Sequence, residues 1–351
     1  MRCMVSGAAG RSRSTPVLVV GGAGYIGAHV CKALAAAGRL PVALDNLASG
    51  RRDFVKWGPF RQAQISDRDA VESLLSEYGI ATVIDLAASI EVAQSVRDPL
   101  AFYANNLAAK LPFLAALHAA GVVHLVLSST AAVYGEPELV PIPETHALRP
   151  GNPYGNSKLA YERMVTDFAA AGGPNFMALR FFNAAGADPA AEIGEAHEPE
   201  THLIARAAQA ALGQGPALEI YGRDWPTPDG TAIRDYVHVS DLAAAHVRAV
   251  AALEGGITSG ACNLGSGQGH SVAEILAAFA DAGAPVPHDY APRRAGDPAR
   301  LVADIRRARD WLGWVPVASD PATIVGNALA WHRIWPGIAP GVVEGACDWP
   351  R

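Results

Sequence analysis

The chain has 351 residues, half of them apolar, enough to bury a large core as one big domain or two closely packed ones. Charged residues make up 18% and the net charge is −6 with no run of like charges, which argues against a basic nucleic-acid face or a polybasic membrane surface. The four cysteines (Cys3, Cys31, Cys262, Cys347) lie far apart, with no CxxC and no His at zinc-ligand spacing, so they read as reduced thiols of a cytosolic protein, and no metal is expected.

Residues 1–16 are small, polar and arginine-bearing, without the apolar core of a signal peptide, and read as a disordered extension or the product of a misplaced start codon. No stretch reads as long and apolar enough to span a bilayer. From there short β-branched runs alternate with longer Ala/Leu-rich segments. Strands are expected at 17–20, 41–44, 82–86, 124–128 and 175–182, with helices at 25–37, 71–78, 99–120 and 154–170. This alternation implies an α/β fold, a Rossmann-type doubly wound parallel sheet covered on both faces. After Asn183 the texture changes: 187–199 is acidic and loop-like, PTPDG (226–230) signals a turn, and helices are broken by Pro/Gly-rich segments such as 285–298. The expected division is a dinucleotide-binding domain over 17–183, completed by part of 232–265, and a smaller C-terminal α/β substrate domain over 184–351.

The segment GGAGYIG (21–27) follows the first expected strand and opens the first helix. Glycines at 21, 24 and 27 allow a tight turn, close approach of backbone to a pyrophosphate and helix–sheet packing, and the helix N-terminus then faces the phosphates. A glycine cluster alone is weak evidence; here strand, helix and an acid come in the expected order. The acid is Asp45, at the end of the second strand. Its carboxylate suits the adenosine ribose hydroxyls and repels a 2′-phosphate, which favours NAD over NADP. Its alternative role is to cap a loop, and Arg51 and Arg52 read as solvated loop arginines.

NPYGNSK (152–158) starts a helix, with Asn152 as cap and Pro153 in the first turn. Tyr154 and Lys158 then share one helical face. An ammonium beside a phenol is expected to lower its pKa from ~10 toward the range of a general base. YxxxK alone is common on surfaces; downstream of a dinucleotide turn it reads as catalytic. Thr130 ends the strand carrying LSST (127–130), where its hydroxyl could bond the oxygen being deprotonated, whereas Ser128 and Ser129 read as structural. His29 and His238 read as core or capping residues, and Met177, Trp311 and Trp314 as packing.

The blocks GGAGYIG, LDNLASG (44–50), LSSTAAVYG (127–135), PYGNSK (153–158), LRFFNAAGA (179–187), PETHLI (199–204), LEIYGRDWPTPDGTAIRDYVHVSDLA (218–243), NLGSG (263–267) and APRRAGDPARLVAD (291–304) resemble the extended short-chain dehydrogenase/reductases. Among these the likeness is to the 4-epimerases of UDP-glucose, from about residue 17 to about residue 316. The resemblance implies reversible hydride transfer at C4′ between NAD and a UDP-sugar through a 4-keto intermediate, with Tyr154 as base and acid, Lys158 tuning it and Thr130 assisting. It implies cofactor contacts from Gly21, Gly24, Tyr25, Ile26, Gly27, Asp45, Asn46, Gln64, Ile65, Leu86, Ala87, Ala88, Asn106, Tyr154, Lys158 and Phe182. It implies substrate contacts from Thr130, Tyr154, Asn183, His202, Leu203, Tyr221, Arg234, Arg294, Asp297 and Leu301. For Arg234 and Arg294 chemistry agrees independently, since guanidinium forks suit a pyrophosphate. A homodimer through the helices at 99–120 and 154–170 and a cytoplasmic location are also implied.

Two positions depart from the pattern. Ile90 stands where the family often has a lysine touching the cofactor, and Gln64 where many members have an acid at the adenine. Rival readings stay open on the same scaffold: a UDP-pentose 4-epimerase, a dehydratase or a decarboxylase. Ala131 and Ala132 replace the Asp-Glu pair expected of a dehydratase, and no carboxylate-recognising groups for a decarboxylase stand out. A non-catalytic NAD-binding scaffold is the rival of another class; such proteins usually lose the Tyr or Lys that is present here.

Overall fold

A computed structural model describes residues 14–294 and 296–335. Cys3 and Cys347, and most of the expected N-terminal extension, lie outside the described residues. The sheet strands are β1 (Pro16–Val20), β2 (Leu40–Asp45), β3 (Phe60–Gln62), β4 (Thr82–Asp85), β5 (His124–Thr130), β6 (Asn175–Phe181) and an outer strand Gly260–Leu264. They form one seven-stranded sheet in the order Gly260–Leu264, β6, β5, β4, β1, β2, β3, all pairs parallel.

The apolar strand runs follow from this architecture, because a parallel sheet is buried on both faces. Along β1, Val17 and Val19 enter one core with helix α1 (Tyr25–Ala36) and the helix Val239–Glu254. Leu18 and Val20 enter the other, with α2 (Arg68–Tyr78) and the helices Lys110–Ala119 and Pro153–Ala170. β1 has β2 on one side and β4 on the other, so the order reverses there, at the crevice where open α/β sheets bind ligands. A third core gathers the helices Leu203–Ala211, Val272–Asp281 and Pro321–Ile334 against the strand Leu218–Tyr221, whose outer neighbour is the largely exposed strand His288–Ala291.

Several sequence expectations are corrected. Pro16 pairs with Leu40 inside β1, so the fold begins before residue 17. β3 was not expected: three residues at a sheet edge, two half-exposed and one exposed, carry no periodic signal. The helix at 99–120 is broken into Pro99–Tyr103, a π-type turn Ala104–Ala108 and Lys110–Ala119. Within that turn Asn106 is turned inward, donating to the Ser89 carbonyl and the Ser157 hydroxyl and accepting from the Ser89 N–H. The span Pro99–Ala119 is also, among the described residues, one helical stretch long and apolar enough to cross a membrane by length and composition, contrary to expectation. In the fold its Phe113, Leu114 and Leu117 pack under the sheet.

Lys110 lies in that same stretch and is fully buried against Asp85, with Nζ–Oδ distances of 2.8 and 2.9 Å and a third bond to the Ala87 carbonyl. The Tyr161 hydroxyl donates to the same carboxylate at 2.7 Å. Removing one partner of such a pair strands a buried charge. Lys110→Met is therefore expected to cost about 3–5 kcal/mol in urea denaturation, with Asp85→Leu added on top recovering much of the loss; a single-variant cost below ~1 kcal/mol would contradict the arrangement.

Candidate active site

Gly21 leaves β1 at φ +79° and its N–H bonds the Leu44 carbonyl at 2.8 Å. A Cβ on Gly27 would stand 1.9 Å from the Gly21 carbonyl oxygen, so only glycine lets α1 start directly over the turn. Gly24 caps α1 without a side-chain bond, and no acid stands in the first turn. The first N–H groups of the helix are thus left for an anionic ligand, favoured by the helix dipole. Asp45, at the end of β2, accepts from the N–H groups of Ala23 (3.0 Å) and Leu47 (2.8 Å), clamping the glycine turn to its neighbour strand. Burial pushes its carboxyl up, and those N–H groups oppose the push. An anion-ready turn beside an acid fits a dinucleotide with free ribose hydroxyls.

Around that turn, Ile65 is buried and Leu86, Ala87 and Ala88 continue from β4, with the Leu86 N–H on the Val20 carbonyl. The Gln64 side-chain carbonyl, expected to face an adenine, accepts from Asn46 at 2.9 Å. Ile90 is exposed, and Lys110 is committed to Asp85, so it does not replace the missing family lysine. Asn106, expected near the cofactor, spends its amide on Ser89 and Ser157.

On the other side of the crevice, Asn152 accepts from the Gly155 N–H at 2.9 Å and Pro153 occupies the first turn, as the sequence pattern anticipates. Gly155 presses on the Ala132 carbonyl, where a Cβ would come within 2.7 Å. That close pass brings Tyr154 to Thr130 at the C-terminal end of β5, within side-chain hydrogen-bonding contact. Lys158 is buried, and its ammonium donates to the Ser128 carbonyl (3.0 Å) and hydroxyl (2.9 Å). Ser128, read from sequence as merely structural, is thus the residue that aims Lys158. The strand end next to a YxxxK lysine was the available signal.

The electrostatics differ from the expectation for Tyr154. Desolvation pushes its phenol up to about 12, with only the Thr130 hydrogen bond pulling the other way and no charged group of the described residues helping to acidify it. Lys158 is instead lowered to about 7, by burial first and then by the Lys110 ammonium, against the pull of Asp85 and Glu162.

The residues expected at the substrate lie in three groups. Asn183 follows β6, and its side-chain carbonyl is buried without a partner, next to buried Phe182. His202 and Leu203 stand at the start of the helix Leu203–Ala211, with the His202 Nδ1 2.5 Å from Glu195. Arg234 and Leu301 face each other in paired short strands. The Arg234 guanidinium bonds the Pro298 carbonyl at 2.8 Å and lies 3.9 Å from the Asp297 carboxylate, while Arg294 stacks 3.7 Å over the Tyr221 ring. Sequence reasoning missed Asp235, fully buried, which accepts from the N–H groups of Ser266, Gly267 and Ala303 and so ties three of the quoted blocks together. His238 caps the helix Val239–Glu254 through Nδ1, and Trp314 is buried on the Asp241 carbonyl, both as read from sequence.

A dinucleotide turn facing a strand-end hydroxyl and a Tyr/Lys helix defines a dehydrogenase-type site of the extended short-chain class. Residues 17–265 match the NAD dependent epimerase/dehydratase family, and the chain belongs to that family. It is 48% identical over 317 residues to the UDP-glucose 4-epimerase of Rhizobium leguminosarum bv. trifolii, covering 90% of this chain and 97% of that one. Among solved structures it is similar to UDP-glucose 4-epimerase from Brucella ovis in complex with NAD, at 46% identity and a TM-score of 0.88, over 90% of this chain and 98% of that one. It is similar also to UDP-glucose-4-epimerase from Stenotrophomonas maltophila with bound NAD and formylated UDP-arabinopyranose, at 39% identity and a TM-score of 0.88, over 91% and 98% of the two chains.

The lowered Lys158 sets a pH limit. Its ammonium prevails below about pH 7 and is lost above it, so kcat/KM is expected to fall on that alkaline side. Ser128→Ala removes an acceptor that favours the charged form and should move this limb to lower pH. A limb unchanged in Ser128→Ala would show that Ser128 does not govern the lysine.

Proposed function

We propose that the chain is an NAD-dependent 4-epimerase interconverting UDP-glucose and UDP-galactose. The observation that carries this reading is the convergence of Tyr154 on Thr130 at the end of β5, with Lys158 aimed by Ser128, across the crevice from the Gly21–Gly27 turn. The domain division follows: 17–183 with the outer strand Gly260–Leu264 carries the cofactor, and 184 onward carries most of the UDP-sugar.

When bound, NAD supplies a hydride acceptor and a positive ring beside the phenol, the influence that the chain's own groups do not provide. Gly21, Gly24 and Gly27, with the backbone of Tyr25 and Ile26, would hold its pyrophosphate, Asp45 and Asn46 the adenosine ribose, and Lys158 the nicotinamide ribose. Tyr154 accepts the proton of the 4′-hydroxyl as the carbinol carbon is oxidised to a ketone, and Thr130 bonds the reacting oxygen. The keto sugar turns about its diphosphate so that the opposite face of C4′ would receive the hydride back, and Tyr154 returns its proton to the 4′-oxygen. Arg234, Arg294 and Tyr221 hold the nucleotide throughout, so most binding energy comes from atoms remote from the reaction. Asn183, Leu203, Asp297 and Leu301 border the sugar and diphosphate.

A UDP-pentose reading has one observation in its favour, the formylated UDP-arabinopyranose in the Stenotrophomonas structure. Purified protein assayed with UDP-galactose and UDP-arabinose in parallel separates the two; turnover of the pentose alone would overturn the hexose assignment. Tyr154→Phe should lower kcat about 10²- to 10⁴-fold while UDP affinity is retained, and an unimpaired variant would remove Tyr154 from the chemistry.

The reading extends to a homodimer in the cytoplasm. Val92, Val96, Leu100 and Leu111 are exposed along the helices Val92–Arg97, Pro99–Tyr103 and Lys110–Ala119, an apolar face of the kind that pairs with a second copy. Buried free thiols at Cys31 and Cys262 accord with a reducing compartment. Val96→Glu with Leu100→Glu should convert a dimer to a monomer in sedimentation velocity; a variant that still dimerises would place the interface elsewhere.

A further inference from the structure

Between β6 and the helix Leu203–Ala211 runs the acidic loop that the catalytic reading uses only at its last residues. Four of its side chains turn inward to a common point: Glu195, His197, Glu200 and His202, whose ligating atoms all lie within 4.8 Å of one another. The Glu195 Oε1 is 2.5 Å from the His202 Nδ1 and 3.3 Å from the His197 Nδ1. Glu200 is 3.6 Å from each imidazole, through Oε2 to His197 and Oε1 to His202. We propose that Glu195, His197, Glu200 and His202 form a binding site for a single divalent transition-metal ion of the zinc type.

Three observations carry the assignment. Glu200 has a side chain only 5% exposed and directs an Oε2 without a hydrogen-bond partner into the cluster, and the buried Nδ1 of His197 likewise has none. The two atoms meet only at ion-pair distance, 3.6 Å from each other and with Glu195 3.3 Å from the same imidazole, so neither makes a full hydrogen bond inside the cluster. Second, zinc bonds to His nitrogen and carboxylate oxygen of ~2.0–2.1 Å place tetrahedral neighbours about 3.3 Å apart. With Oε2 as the Glu200 ligand, two of the three measured separations, 3.3 and 3.6 Å, fall close to that edge, and the His202–Glu195 contact has only to open. Third, the donor set is chemically matched: two imidazoles and two carboxylates give four ligands, with two negative charges against the 2+ of the ion. The sequence expectation of no metal looked for CxxC and for His at zinc-ligand spacing, and passed over the E-x-H-x₂-E-x-H pattern at 195–202, which mixes His with carboxylates.

The surroundings hold the ligands in place and leave an entrance. The Trp331 indole N–H bonds the Glu195 carbonyl at 2.9 Å, and a Cβ on neighbouring Gly194 would collide with the Trp331 ring, so the loop is seated tightly on the helix Pro321–Ile334. The His197 ring lies edge-on to Tyr25 of the dinucleotide turn, at 6.2 Å between centroids. His202, 41% exposed, is the ligand through which an ion enters. Four protein ligands with no open position describe a structural site, one that fastens the loop to the start of the helix bearing Leu203.

The test uses the full chain without a histidine tag. Protein purified without chelator is analysed for metals by mass spectrometry, then stripped, and titrated with Zn²⁺ and with Co²⁺ as a visible-light reporter of tetrahedral nitrogen/oxygen coordination. The expected result is one zinc per chain, a Co²⁺ absorption that saturates at one equivalent, and a rise in thermal midpoint on adding zinc to the stripped protein. His197→Ala and Glu200→Gln should each weaken Co²⁺ affinity by more than the ~10–100-fold that losing a hydrogen bond to a ligand costs. Wild-type protein that takes up less than about a tenth of an equivalent of either ion would overturn the proposal, whether or not the variants fold. Folded variants that bind the ions as tightly as wild type would overturn it too.

Discussion

Lys158 hangs from the end of β5 by two hydrogen bonds to Ser128, and the geometry of the crevice depends on that attachment. The helix Pro153–Ala170 lies against the sheet at an angle that must deliver Tyr154 to Thr130 and Lys158 to Ser128 together. Two further buried attachments fix that angle. Arg180 of β6 makes a bidentate pair with Glu162 (3.0 and 2.7 Å), and Tyr161 reaches Asp85 of β4. A helix pinned at three places along one face to three adjacent strands has little freedom to roll, which is the preorganisation that the proposed proton transfer calls for.

The same attachments explain the charge balance. Lys158, Lys110, Asp85 and Glu162 form one buried electrostatic group, in which Lys110 works against the Lys158 ammonium and the two acids work for it. A positively charged neighbour that is itself fully neutralised by Asp85 tempers the lysine without occupying the crevice. The phenol is isolated from this group: desolvation and Thr130 dominate its environment. The chain's buried charges thus act on the lysine, while the tyrosine stands outside their reach.

Legibility in the sequence followed the range of the interactions. Sheet strands buried on both faces stood out as apolar runs, and Tyr154 with Lys158 stood out because a helix brings i and i+4 together. The Gly21–Gly27 turn was legible because its constraint is local, a backbone contact within seven residues. What was missed depends on distant partners. Ser128 serves Lys158 across 30 positions, and Asp235 organises Ser266, Gly267 and Ala303 from as far as 68 away. The widened turn at Ala104–Ala108 has no local signature either, because Asn106 is drawn inward by Ser89 and Ser157 rather than by its own helix. Strand β3 was too short for alternation to register. The acidity expected of Tyr154 failed because spacing reports proximity along a helix and says nothing of how deeply each group is desolvated.

The Tyr25 hydroxyl donates at 2.6 Å to the carbonyl of Gly186, across 161 positions of chain, joining the nucleotide turn to the strand-to-loop junction of the other half. Tyr25 is buried, so this tether is not exposed to competition from solvent. Any parting of these two segments beside α1 would first have to break a buried hydrogen bond. Arg294 and Asp297, by contrast, sit on exposed, loop-borne backbone with no such buried tether to the turn among the described contacts.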